Sequence, residues 1–75
     1  MTIEKLIKEL EFEGNIEFPF ENENISVYDI EETSSDILLE KMYYYKYLSI
    51  LTFCKEHLEA YLSYYKKLNN KTSLV

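Results

Sequence analysis

Arginine and tryptophan are absent from this 75-residue chain, and glycine, proline, cysteine and histidine occur once each. Without arginine there is no planar fork for bidentate contact to phosphates or base edges, so all eight cations are lysines and direct nucleic-acid binding is not expected. A single cysteine, Cys54, excludes an intrachain disulfide, and one Cys with one His falls short of a structural zinc site. One glycine, Gly14, cannot build a phosphate-cradling loop, and no Asp-rich loop with a central glycine is present to hold calcium. Long apolar runs are missing too. The start, MTIEKLIKEL, does not read as a leader, and YLSILTFC lies between Lys46 and Lys55, too short to span a bilayer. The expectation is a cytoplasmic protein, in the host cytoplasm if phage-encoded, with no membrane partner, no cofactor and no metal.

The chain does hold acid and tyrosine. Residues 1–40 carry twelve Asp or Glu against two Lys, whereas residues 41–75 carry two Glu against six Lys. Eight tyrosines are present, four of them inside MYYYKY at positions 42–47. A chain this short supplies a core worth roughly 3–5 kcal/mol, so with disulfides and zinc excluded, association is the remaining source of stability.

Hydrophobic spacing sets the expected elements. Thr2 is placed to cap a helix over 3–12 with Ile3, Leu6, Ile7 and Leu10 on one face, and Gly14 suits a left-handed residue closing it. The period then falls to two: Ile16, Phe18 and Phe20 alternate with polar residues and Pro19, and Ile25 to Tyr28 form a second run, which predicts a small β-hairpin over 15–28. A polar link at 31–35 offers Thr33, Ser34 or Ser35 as the cap of the next helix, and Thr33 with Asp36 resembles a capping box. From 36 to 69 there is neither Gly nor Pro, which predicts one helix about 50 Å long, with 70–75 frayed. A break near residues 52–57 would make a helical hairpin, although no turn chemistry marks it. The expected fold is therefore α+β, mostly helical, in a single small domain over 1–75.

At 100° per residue, Leu39, Tyr43, Tyr47, Ile50, Leu51, Cys54, Leu58, Tyr61, Leu62, Tyr65 and Leu68 share one side of the long helix. Ser49 and Ser63 fall on the opposite side, Tyr44 at the margin, and Tyr45 toward the polar face. The apolar arc, roughly 200° wide, exceeds the ~100° stripe that one packing partner covers. Ile3, Leu6, Ile7, Leu10 and the hairpin residues cover part of it, so a homodimer or tight heterocomplex is expected through Tyr43, Tyr47, Ile50, Leu58, Tyr61 and Tyr65.

Cys54 and His57, spaced i, i+3, are the one pair that invites chemistry. A thiol nucleophile needs an oxyanion site and an orienting third group, and mid-helix amides are already bonded. The ordinary reading is a buried thiol beside a boundary histidine. Carboxylates are plentiful enough for a hydrolase dyad, but a dyad needs a walled cleft to separate its pKa values. No enzyme is expected.

In size, acidity, lysine-only basicity and lack of catalytic motif, the chain resembles the small host-takeover and anti-defence proteins of phages and mobile elements. The balance of −10 over residues 1–40 is what points to a non-catalytic acidic inhibitor or modulator that mimics nucleic acid toward a basic protein partner. Its contacts would be Glu11, Glu13, Glu17, Glu21, Glu23, Asp29, Glu31 and Glu32. The competing expectation is a homodimeric helical adaptor working through the tyrosine and leucine seam, its acidic half keeping it soluble.

Overall fold

The structure is a computed structural model that describes residues 2–21 and 24–72. It contains three helices, α1 (Ile3–Gly14), α2 (Ser35–Thr52) and α3 (Lys55–Thr72), and no strand among the described residues. The α+β expectation is thus overturned: the fold is all-helical, and the 15–28 segment forms no hairpin.

Thr2 caps α1, its hydroxyl accepting the Lys5 N–H at 3.3 Å. The left-handed residue that closes α1 is Asn15 (φ 54°), not Gly14, with Ile16 N–H bonded back to the Glu11 carbonyl at 3.0 Å. Gly14 has a different task. A Cβ there would lie 2.9 Å from Ile50 Cγ2 and 3.1 Å from Ile16 Cγ1, so the glycine lets the end of α1 press against α2.

The described residues of the 15–28 segment form no strand, and the partner of Ser26 and Tyr28 is a helix. Ser26 N–H donates to Glu59 Oε2 at 2.7 Å and Tyr28 N–H to Ser63 Oγ at 3.0 Å. Two extended residues advance about 6.6 Å and four helical residues about 6 Å, so a strap running along α3 keeps register with side chains four apart. Phe18 is buried, and Phe20, Ile25 and Val27 pack on the same core. Period two matches the alternation of covered and exposed residues at 16–21 and 25–28; it carries no information about whether the neighbour is a strand.

The continuous 36–69 helix is also corrected. The chain turns at Phe53 and Cys54, and the molecule's longest extent is 34 Å, short of the rod expected from residue count. Phe53 sits in the left-handed region (φ 54°), at a cost of roughly 1–2 kcal/mol for a residue with a Cβ. Its N–H bonds the Ser49 carbonyl at 3.2 Å, and its ring meets Phe18 edge-on at 6.0 Å. Thr52 Oγ1 then accepts the Cys54 N–H, and the Cys54 carbonyl accepts the His57 and Leu58 N–H groups that begin α3. The Thr33–Asp36 capping box does not form either: Ser34 is the N-cap of α2, and Glu32 Oε1 accepts the Thr33 and Ser34 N–H groups.

α2 and α3 pack along their lengths. α1 joins them through Leu6, Ile7 and Leu10, which form one core with Phe18, Leu58, Tyr61 and Leu62. α3 is the central element, with α2, α1 and the strap around it, and Ala60 through Ser63 are four successive buried residues. α2 is the outer one.

Candidate interaction surface

α2 is apolar around most of its circumference, and only part of it is used inside this chain. Leu38 and Ser49 are fully buried, and Met42, Tyr45 and Ile50 pack against the core. Tyr45, expected to point outward, instead stacks on Tyr64 of α3 at 5.6 Å with the rings 14° apart. Ser49 and Ser63, also expected on the polar side, are buried. Ser49 Oγ satisfies itself on the Lys46 carbonyl at 2.8 Å, and Ser63 Oγ donates to the Glu59 carbonyl at 2.7 Å while accepting from the strap. Small side chains there let two helices approach closely. That is the signal by which the buried face was readable, since polarity alone assigns serine outward.

The opposite face of α2 is left bare. Tyr43 is 56% exposed, Tyr44 56%, Tyr47 63% and Leu51 59%, with Ile37 and Leu39 each exposed by two-fifths. Of the expected seam, Tyr43 and Tyr47 therefore face solvent, Ile50 and Tyr65 are half-buried against the core, and Leu58 and Tyr61 are covered by the chain's own α1 and strap. The seam divides at the Phe53 turn: its α3 part is interior and its α2 part is surface. Burial pushes the Tyr61 phenol up to about 12, with Tyr65, Glu13 and Glu9 adding to the shift.

Several of the acidic residues are engaged within the chain. Glu11 Oε1 accepts the Phe18 N–H at 3.2 Å, Glu13 pairs with Lys46 Nζ at 3.0 Å, and Glu32 caps the approach to α2. Three of the eight candidates thus have structural duties. Glu17, Glu21, Asp29 and Glu31 are exposed, and Glu23 lies outside the described residues. Glu11 and Glu17 share a hollow of about 630 Å³ with Lys8 and Phe12, where Glu11 is already engaged by backbone.

Cys54 and His57 come together at the turn, but as structural partners. Thr52 Oγ1 lies 3.0 Å from His57 Nδ1, and the Cys54 thiol donates to Glu56 Oε2 at 3.0 Å, which holds that exposed carboxyl below its usual range. Among the described residues no group of three or more His, Cys, Asp or Glu is arranged to hold a metal ion. No described helix is long and apolar enough to cross a membrane.

The described residues form a three-helix fold whose α2 carries an exposed aromatic face, and Phe12 on α1 is exposed as well. Among characterised proteins, the chain is 40% identical over 47 residues to the transcriptional activator NprA of Geobacillus stearothermophilus. The match takes in 63% of this chain but only 11% of that protein's length. Any 47-residue stretch of a 75-residue chain includes residues 29–47, so Tyr43, Tyr44 and Tyr47 lie within it. No protein-family profile matches the chain, and no solved structure does.

Proposed function

We propose that this chain is a non-catalytic protein–protein interaction module of a transcription-regulatory system, with α1, the strap and α3 as scaffold and the outer face of α2 as the contact surface. One observation carries the reading: α2, the more apolar of the two long helices, is the more exposed, through Tyr43, Tyr44, Tyr47 and Leu51. Exposed apolar patches of several hundred Å² mark interaction sites, and tyrosine is among the residues that anchor interfaces. The kinship with a stretch of a transcriptional activator supports the same setting.

The test is a graft. The matched 47 residues of this chain replace the corresponding stretch of that activator, and transcription from its promoter is measured. Activation retained by the graft and lost with Tyr43→Ser and Tyr47→Ser supports the module. A folded, soluble graft that fails to activate, or one indifferent to both substitutions, overturns it.

The acidic-inhibitor reading stands second, favoured by the exposed carboxylates Glu17, Glu21, Asp29 and Glu31. It gains ground if Asp29→Lys with Glu31→Lys abolishes the graft's activity while the tyrosine substitutions leave it intact. Its interaction would also weaken steeply with salt.

A further inference from the structure

Leu39, Tyr43, Tyr47 and Leu51 stand four residues apart in the exposed face of α2, so they form one i±4 ridge whose order, Leu-Tyr-Tyr-Leu, reads the same in both directions. A two-fold interface must be complementary to itself. We propose that α2 pairs with the α2 of a second copy of this chain, antiparallel across a two-fold axis passing between Tyr43 and Tyr47. This rests on the interaction-module reading and names its partner.

The axis sets Tyr43 against the partner's Tyr47 and Leu39 against the partner's Leu51. Three further features fit. A hollow of about 270 Å³ lined by Leu39, Met42, Tyr65 and Leu68 lies where the axis delivers the partner's Leu51. Charge selects the direction: a parallel pair would stack Asp36 on Asp36 and Glu40 on Glu40, whereas the antiparallel pair sets the Asp36 end of one α2 beside the other's C-terminus and Lys55. The helix dipoles then oppose favourably as well. Area is sufficient. With about 200 Å² for a fully exposed tyrosine and somewhat less for leucine or isoleucine, the ridge and its neighbours Tyr44 and Ile37 offer about 600 Å² per copy. That approaches the ~800 Å² per partner of a standard stable interface.

Sedimentation equilibrium on the 75-residue chain should show a concentration-dependent dimer. Tyr43→Glu with Tyr47→Glu should make it monomeric while leaving the helical circular dichroism unchanged and the urea midpoint equal to that of the native chain diluted until it is monomeric, because both rings lie outside the core. For the register, Tyr43→Cys and Tyr47→Cys chains in a Cys54→Ser background are oxidised separately and mixed. The mixture should cross-link 43 to 47 between unlike chains, with little product from either alone. A monomer at millimolar concentration, a dimer that survives the double Glu variant, or preferential 43-to-43 linkage overturns the proposal. A monomeric chain whose graft remains tyrosine-dependent would sink the self-pairing and leave the module; a ridge-dependent dimer with a tyrosine-indifferent graft would do the reverse.

Discussion

α2 and α3 have eighteen residues each, follow one another across a two-residue turn, and continue the same apolar phase in sequence, yet they bury opposite kinds of face. α3 buries its seam, Leu58, Tyr61 and Leu62, and adds Ala60 and Ser63 because it has neighbours on several sides. α2 buries Leu38 and Ser49 and leaves Tyr43, Tyr47 and Leu51 in solvent, because α3 and the end of α1 cover adjoining sides of it and nothing in this chain covers the rest. The difference shows that hydrophobic content does not rank helices by depth. Depth follows from how many elements surround a helix, and the outer helix keeps its excess apolar surface exposed.

Truncation at equivalent residues on the two helices tests the contrast most severely. Leu58→Ala should cost about 3 kcal/mol in urea denaturation, as expected for a fully buried leucine, while Leu51→Ala on the monomer should stay within about 0.5 kcal/mol. Equal losses would mean that α2 is as enclosed as α3.

The pH dependence separates a buried phenol from the rest. Tyr61 ionises near 10 in the unfolded chain and near 12 in the folded one, so folding and unfolding leave it protonated alike below pH 10. Between pH 10 and 12 only the unfolded chain releases the proton, and stability should fall. Urea midpoints compared between the native protein and Tyr61→Phe should run parallel below pH 10 and diverge above it, with the native protein losing more.

Gly14 ties α1 to the less buried helix, and Gly14→Ala should destabilise by about 1 kcal/mol or more through the clash with Ile50, despite alanine's better helix propensity. Adding Ile50→Ala should restore the propensity gain, and a double-mutant cycle reads that coupling. The strap's hold on α3 is weaker. Ser63→Ala should cost about 1 kcal/mol and speed hydrogen exchange at the Tyr28 amide, whose acceptor it removes. Least of all, Lys46→Met should change stability by under about 1 kcal/mol, since its pair with Glu13 is partly exposed.

Much of this molecule was legible in its residues, and the misreadings share a cause. The α1 helix, its Thr2 cap and its apolar face follow from local spacing. The hairpin did not materialise because period two reports only an alternation of covered and exposed residues, and Glu59 and Ser63 supply the acceptors that a strand would have. The long helix broke at Phe53 because a left-handed aromatic is rare enough to be invisible in propensity, and its cost is offset by contacts with Phe18 and the Ser49 carbonyl, distant in sequence or owned by backbone. Charge counting also carries no sign that Glu11 holds the Phe18 amide, that Glu13 pairs with Lys46 or that Glu32 bonds the backbone before α2.

By itself the sequence determined which stretches become helical or extended, that tyrosine and leucine exceed what so short a chain can cover, and that the acid is concentrated in the first forty residues; all of these are local or compositional properties. Tertiary structure alone decided which apolar side of each helix goes inside, because that choice depends on the turn at residues 53 and 54 and on what packs around each helix. The turn made α3 the centre and α2 the rim, and so turned half of one continuous seam into a core and the other half into a surface.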